Sequence, residues 1–528
     1  MNLKKHIYSV VLFILVVILT SWSWVKKPKM DLLNEVILPK PVSVIASGNS
    51  FELNAKTKIF VNGESKELLK IGHYLANFIK PATGFDLKVK STVTMSNSNS
   101  IYLSISKLES EFGKEGYKLN ISDKNVSISA NSPEGIFHGI QTFRQILPKE
   151  IEAATKQKKS WFIATGEIHD YPQYEYRGAM LDVSRHFFKV EDVKKYIDML
   201  AVYKLNVLHL HLSDDQGWRI EIKSWPNLTV HGGSTEVGGG TGGFYTQEEY
   251  RDIIKYAQER YIIIIPEIDM PGHTNAALAS YPELNSSGEA TELYTGIKVG
   301  FSTLDTNKDI TYQFIGDVVR ELSEMTPGPY IHIGGDESHV TAMEDYIPFI
   351  NSVQEIVLAN GKQMIGWDEI AHADLKANTI VQFWAGLKNA QKGIEKKAKV
   401  ILSPANKTYL DMKYDSITKL GLNWAGYVDV ESAYSWNPSA LIPGISKSDI
   451  LGIESPLWTE TITNMDELEY MVFPRIIGHA EIGWTLDSLR DWNDYKFRLK
   501  KHLDRLKIMG INYYDPDVIF KNQQEAKE

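Results

Sequence analysis

From about residue 171 onward, short apolar runs recur along the chain, each followed by a polar loop or a helical stretch. Eight such runs lie at residues 178–182, 206–212, 261–268, 330–334, 364–367, 379–384, 400–402 and 450–454. Runs that are apolar throughout, rather than alternating, predict strands buried on both faces, as in a parallel sheet. Helices with good start signals lie between them. Thr246 and Glu249 form a capping box ahead of the periodic stretch 250–258. Buried strands alternating with helices in this way predict an α/β fold, a (β/α)8 barrel over residues 171–510. Residues 31–170 are patterned differently. Alternating runs at 57–61, 101–105, 117–121 and 126–130 predict strands, and periodic stretches at 68–78 and 135–147 predict helices. That mixture predicts a smaller α+β domain ahead of the barrel, and it carries no constellation that looks catalytic. Residues 491–509 predict a charged amphipathic helix, and 511–528 a tail with a polar end at 521–528.

The start of the chain has its own pattern. Lys4 and Lys5 precede an uncharged stretch at residues 7–25, and Lys26 and Lys27 follow it. A basic start before a long apolar run predicts export. The stretch is near the length that spans a bilayer. The segment from Thr20 to Trp24 is a poor cleavage site, so residues 1–30 are read as a signal peptide or as a retained signal-anchor. Either puts the body outside the cytoplasm: periplasmic, extracellular or anchored at a membrane through residues 7–25. No later segment has spanning length.

Composition narrows the chemistry. The chain has 528 residues, a net charge of −9 and no cysteine. No stripe of Lys and Arg forms, which argues against a nucleic-acid partner. The absence of cysteine excludes disulfides and zinc–thiolate sites. Twelve Trp and 26 Tyr are many, and flat rings suit the apolar faces of sugars. In a barrel of this kind the active site lies at the C-terminal ends of the strands. That rule selects Asp182 to Arg185, Asp214 and Asp215, Glu267 to His273, Asp336 and Glu337, Trp367 to Glu369, Trp384, and Trp458 to Glu460. Acids and tryptophans dominate the set.

Asp336 and Glu337 are the sharpest pair. Neighbouring residues on a regular strand point to opposite faces, so both address one substrate only if the backbone turns there. Gly334 and Gly335 permit that turn. A proton donor beside a fixed negative charge suits glycosidic cleavage, and the charge of Asp336 is expected to raise the pKa of Glu337. Two other signals are weaker. The run Gly238–Gly243 satisfies G-x-G-x-x-G but follows no strand, so it reads as a loop. His209 and His211 face one side of their strand. They either pack by hydrogen bonds inside the barrel, the reading preferred here, or bind a metal together with His273, His332 and Asp336.

The chain carries RGAMLDVSRHFF at 177–188, HLHLSDDQGW at 209–218, MPGHT at 270–274, HIGGDE at 332–337, GWDE at 366–369, YLD at 409–411, WAG at 424–426 and LWTE at 457–460. In kind and in order these motifs resemble those of the β-N-acetylhexosaminidases of glycoside hydrolase family 20. The resemblance implies a retaining enzyme with no nucleophile of its own, in which the substrate's 2-acetamido oxygen attacks the anomeric carbon. It implies that Glu337 is the general acid and base, and that Asp336 and Tyr409 grip the acetamido group. Trp367, Trp384, Trp424 and Trp458 would form aromatic walls. Arg185, Asp214, Asp411 and Glu460 would bind ring hydroxyls, and His273 would support Glu337. Recognition of the far hydroxyls implies exo action on a carbohydrate with a terminal β-linked N-acetylhexosamine. No cofactor or metal is implied. The rival readings are a metal-dependent barrel hydrolase built on His209, His211 and His273, and a glycan-binding protein without turnover.

Overall fold

The computed structural model describes residues 27–516 apart from 93 and 95–97. The apolar stretch 7–25 and the polar end 521–528 lie outside the described residues. Among those described, no helix is long and apolar enough to cross a membrane.

The first unit is a seven-stranded sheet. In spatial order its strands are Ser43–Leu53, Trp161–Asp170, Tyr117–Ile121, Asn125–Ala130, Ser100–Ile105, Lys58–Asn62 and Lys88–Thr92. Helices Lys66–Thr83 and Pro133–Ile146 pack on it. The first begins where the Ser65 hydroxyl accepts from the Leu68 N–H, and it ends at Gly84, which takes φ 72°. Leu68, Ile71, Leu75, Ile79 and Ala82 repeat at helical spacing and are all buried. The pattern predicted four of the seven strands. Two of those it missed, Ser43–Leu53 and Lys88–Thr92, are edge strands, and much of their length is open to solvent. The third, Trp161–Asp170, is buried along most of its length and shows no clean alternation.

The barrel is closed and parallel. Its strands, first to eighth, are Tyr176–Asp182, Val207–His211, Ile263–Glu267, Tyr330–His332, Gln363–Trp367, Ile380–Phe383, Lys399–Leu402 and Ile450–Leu457. All eight predicted runs are present, with ends moved by a few residues. Alternate residues of each strand face the interior. Toward the N-terminal ends that interior is apolar, formed by Tyr176, Val207, Ile265, Ile365, Ile380 and Ile401. Nearer the C-terminal ends the same faces carry Asp182, His209, His211, Glu267, His332, Trp367, Gln382 and Glu454, all buried. An apolar floor under a polar layer fixes which end of the barrel is available for chemistry.

The predicted C-terminal helix is Trp492–Met509, capped by the Asp491 side chain and ended by Gly510 at φ 71°. It is less simply amphipathic than its charge suggests, because its arginines face inward. Arg498 pairs with Glu481 at 2.7 Å. Arg505 reaches the first unit, pairing with Glu152 at 2.8 Å and donating to the Gln145 and Leu147 carbonyls. Asp170, at the end of the first sheet, accepts from Tyr117 Oη at 2.6 Å and Trp484 Nε1 at 2.9 Å, and Lys204 Nζ lies 3.3 Å away. The two units therefore share a buried polar seam. Removing one side of such a seam is costly. Arg505→Ala is expected to destabilise the whole molecule by about 3 kcal/mol, read as a lower Tm of both units together. Loss of the first unit alone, with the barrel melting unchanged, would contradict this.

Candidate active site

The C-terminal mouth of the barrel holds a cavity of about 320 Å³. Of the sequence-selected residues, Arg185, His273, Asp336, Glu337, Trp384, Tyr409, Asp411, Trp424, Trp458 and Glu460 line it. Two others stand behind the wall. Asp214 is buried, with its carboxylate taken up by Arg185 Nη2 at 2.7 Å, His211 Nε2 at 2.8 Å and His273 Nδ1 at 3.2 Å. Trp367 is buried, packs against Trp458 with ring centroids 5.8 Å apart, and donates its N–H to Glu267 at 2.8 Å. Neither lines the cavity directly: spacing gives the face of a strand, and neighbours decide how far a side chain reaches.

The acid pair depends on a tight turn after the fourth strand. Gly334, Gly335 and Glu337 all take positive φ, at 65°, 97° and 47°. For Glu337 that is a strained conformation, held by its surroundings. A Cβ on Gly334 would sit 1.8 Å from the Asp269 carboxylate, so glycine is required there by space as well as by φ. Asp269 in turn accepts the Gly335 N–H at 3.0 Å. The turn puts both acids beside His273, with Nε2 3.8 Å from Asp336 and 3.6 Å from Glu337. Glu337 keeps 27% of its side chain exposed and Asp336 only 10%.

Burial drives the electrostatics. It pushes Asp336 well above the usual carboxylate range, the negative charges of Asp269 and Glu337 add to the rise, and His273 opposes it. It raises Asp269 to about 7, with Glu267 and Asp214 adding and His273 and His211 opposing. Burial disfavours a charged His273, but Asp214, Asp269 and Glu337 outweigh it and hold the ring well above the usual histidine value. Tyr409 is raised by burial and by Asp336 and Asp411, so it stays a neutral hydroxyl donor.

The opposite side of the cavity is aromatic. Tyr409 stacks against Trp384 at 6.5 Å and meets Trp424 and Trp458 edge-on or tilted at 5.9 and 6.2 Å. Trp384 is fixed from behind. Asp368 accepts the N–H groups of Trp384, Ala385 and Gly386 at 3.0–3.2 Å, and Glu369 accepts the Trp384 indole N–H at 3.1 Å. At the far end, Arg185 lies against the Trp458 ring at 4.8 Å and pairs with Asp182 and Asp214. Several buried polar atoms here have no hydrogen-bond partner in the protein: Asp336 Oδ1, His273 Nε2, Arg185 Nε and both carboxylate oxygens of Asp411. Groups left this way in a cavity are ready to meet a polar ligand. Asp269, Ile297, Val299 and Leu422 also line the cavity and were not singled out by motif. The strand-end rule had Asp269 within its third group, and the two β-branched residues come from the loop 286–300.

His209, His211 and His273 do not converge on one point. His211 has Glu267 at one ring nitrogen and Asp214 at the other, and His273 lies beyond Asp214. His209 sits between Glu267 and Glu454, 3.0 Å from each. Each of the two is thus held between acids inside the barrel.

Comparison with known proteins agrees. A family model described as glycosyl hydrolase family 20, catalytic domain, matches residues 174–487, and one described as glycosyl hydrolase family 20, domain 2, matches residues 34–171. A β-N-acetylhexosaminidase from Cellulomonas fimi is 40% identical over 486 residues, 90% of this chain and 95% of the relative. The solved β-N-acetylhexosaminidase of Streptomyces coelicolor A3(2) matches with a TM-score of 0.88 at 47% identity, covering 90% of this chain and 97% of that one. A mutant β-hexosaminidase of Streptomyces plicatus, in complex with product (GlcNAc), matches with a TM-score of 0.89 at 47% identity, covering 93% and 98%. Fold, cavity and relatives agree on the class, which is that of a glycoside hydrolase. The chain belongs to glycosyl hydrolase family 20, and its activity is of the β-N-acetylhexosaminidase type.

The raised Asp269 sets a pH test. An acid whose folded pKa is raised keeps its proton after the unfolded chain has released it, so folding loses stability as pH rises between the two values. For Asp269 that window runs from 3.8 to about 7. The Tm of Asp269→Asn is expected to gain on the parent across this window. A difference independent of pH would contradict the assignment.

Proposed function

We propose that this enzyme removes single β-linked N-acetylglucosamine or N-acetylgalactosamine residues from non-reducing ends, with retention, using the sugar's own acetamido oxygen as nucleophile. The observation that carries this reading is Asp336 Oδ1, buried, unpartnered and on the wall of a cavity walled opposite by aromatic rings. Charge on Asp336 is costly in the empty site. It becomes favourable when an acetamido N–H donates to it, and more so as positive charge grows on that group during ring closure. The interaction is then stronger in the transition state than in the ground state, which is what lowers a barrier. Tyr409, a neutral donor, would hold the acetamido oxygen toward the anomeric carbon, and Trp384 and Trp458 would enclose its methyl. Glu337, less buried and beside His273, would protonate the leaving oxygen and then take a proton from water.

Arg185, Asp411 and Glu460 favour exo action, because they crowd the far end of the cavity with groups suited to the outer hydroxyls. The Streptomyces plicatus relative in complex with GlcNAc supports the sugar class. The basic and apolar pattern of residues 4–27 supports work outside the cytoplasm, as an exported or membrane-anchored enzyme.

Two measurements test this. Incubation with a β-1,4-linked N-acetylglucosamine tetramer is expected to give monosaccharide and trimer first; early disaccharide would overturn exo action. On p-nitrophenyl N-acetyl-β-glucosaminide, Asp336→Ala is expected to lose roughly 100-fold or more in kcat, while EDTA leaves the parent unaffected. Activity lost to EDTA would favour the metal hydrolase.

A further inference from the structure

Glu267 ends the third barrel strand, is fully buried and does not line the cavity. Each of its two oxygens serves a different part of the site. Oε2 lies 2.5 Å from His211 Nδ1, and the chain continues from His211 Nε2 to Asp214 at 2.8 Å, from Asp214 to His273 Nδ1 at 3.2 Å, and from His273 Nε2 toward Glu337 at 3.6 Å. Oε1 accepts the Trp367 indole N–H at 2.8 Å, and Trp367 packs against Trp458, which lines the cavity. One carboxylate thus stands behind both the acid pair and the aromatic wall.

The links are charged. Burial opposes the charge of His211, but Glu267 and Asp214 on either side hold it well above the usual histidine value. Burial likewise opposes the charge of Glu267, and His211, His332 and His209 overcome it, so Glu267 stays ionised. His209 is anchored on its other side by Glu454, which Gln382 Nε2 holds at 2.6 Å. His332 is pushed down by burial, and its Nδ1 accepts the Gly334 N–H at 3.0 Å, at the start of the turn that carries the acid pair. Charge-assisted bonds in a dry interior are strong and directional, so a break at Glu267 is transmitted rather than absorbed by water.

We infer that Glu267 is a positioning residue for the reaction: through His211 and Asp214 it sets the ring of His273 beside Glu337, and through Trp367 it sets the wall at Trp458. The inference rests on the proposed role of Glu337 as general acid. A fault transmitted to that acid hurts most where the leaving group needs a proton. A nitrophenolate leaves readily without one, whereas a sugar alkoxide does not.

The test compares Glu267→Gln with the parent on 2,4-dinitrophenyl N-acetyl-β-glucosaminide and on a β-1,4-linked N-acetylglucosamine dimer, with Glu337→Gln as control. Gln keeps the shape and one acceptor but removes the charge that holds His211 protonated. The expected result is a kcat/KM loss for the dimer at least tenfold larger than for the dinitrophenyl glycoside. Equal losses on both substrates, or none, would overturn the inference and leave Glu267 a packing residue. If Glu337→Gln itself shows no such difference, the proposed acid role fails instead, and the two failures are told apart. His211→Gln keeps an N–H for Asp214 and breaks the same arm one step further on. It is expected to show the same selective loss if Glu267→Gln does not fold, and a uniform loss there would also overturn the inference.

Discussion

The mouth of this barrel buries more carboxylates than it has cations to match, and the rest of the site follows from how that excess is carried. Asp182, Asp214, Asp269, Asp336 and Asp411 are buried, with Glu460 half-buried beside them, around Arg185 and the rings of His211 and His273, and Arg475 acts on Asp411 from behind. A buried charge without a partner is expensive. Three solutions appear side by side. Asp214 is held well below the usual carboxylate range: burial works against it, and Arg185, His273 and His211 prevail. Asp269, Asp336 and Asp411 are pushed up by burial, with Glu267 and Asp214 adding at Asp269, Asp269 and Glu337 at Asp336, and Glu460 at Asp411, so protons remain in the site. And Asp336 Oδ1, with both oxygens of Asp411, has no partner from the protein.

That last arrangement ties fold to chemistry. An acid already neutralised by a cation would gain little from a positive charge forming nearby. An acid kept short of partners gains most when that charge appears. The turn at Gly334 and Gly335 is what delivers such an acid to the cavity next to a second, more exposed one, and it exists because Asp269 fills the space a larger residue would need. The strain at Glu337 is carried by this turn and its surroundings. The apolar floor and the polar layer above it then form the rigid base on which the mouth is assembled.

Much of this is legible in the amino-acid sequence, for physical reasons. Parallel strands buried on both faces are mostly apolar, so all eight stand out even with the buried polar residues near their C-terminal ends. Edge strands carry no such demand, and Ser43–Leu53 and Lys88–Thr92 escape notice. The acid pair announces its own turn through two glycines. Depth is what spacing does not encode. Asp214 and Trp367 sit at strand ends like the lining residues, yet Arg185 and Trp458 stand in front of them. The partnership of Glu267 with Trp367 joins positions a hundred residues apart. The histidines at 209 and 211 read as facing one side of their strand, and each lies between acids there. That they belong to a charged chain leading to His273 becomes visible only once the barrel closes and the second, third and eighth strands face one interior.

The central claim is that the substrate's acetamido oxygen is the nucleophile in a cage built around Asp336 and Tyr409. It is tested most directly by kcat/KM for a series of aryl glycosides whose N-acyl group carries none, one, two or three fluorines. Each fluorine weakens the oxygen as a nucleophile while changing the shape little. A steep, regular fall in rate across the series is the predicted result. A rate that does not change with fluorination would contradict the account and require a nucleophile supplied by the protein or by water.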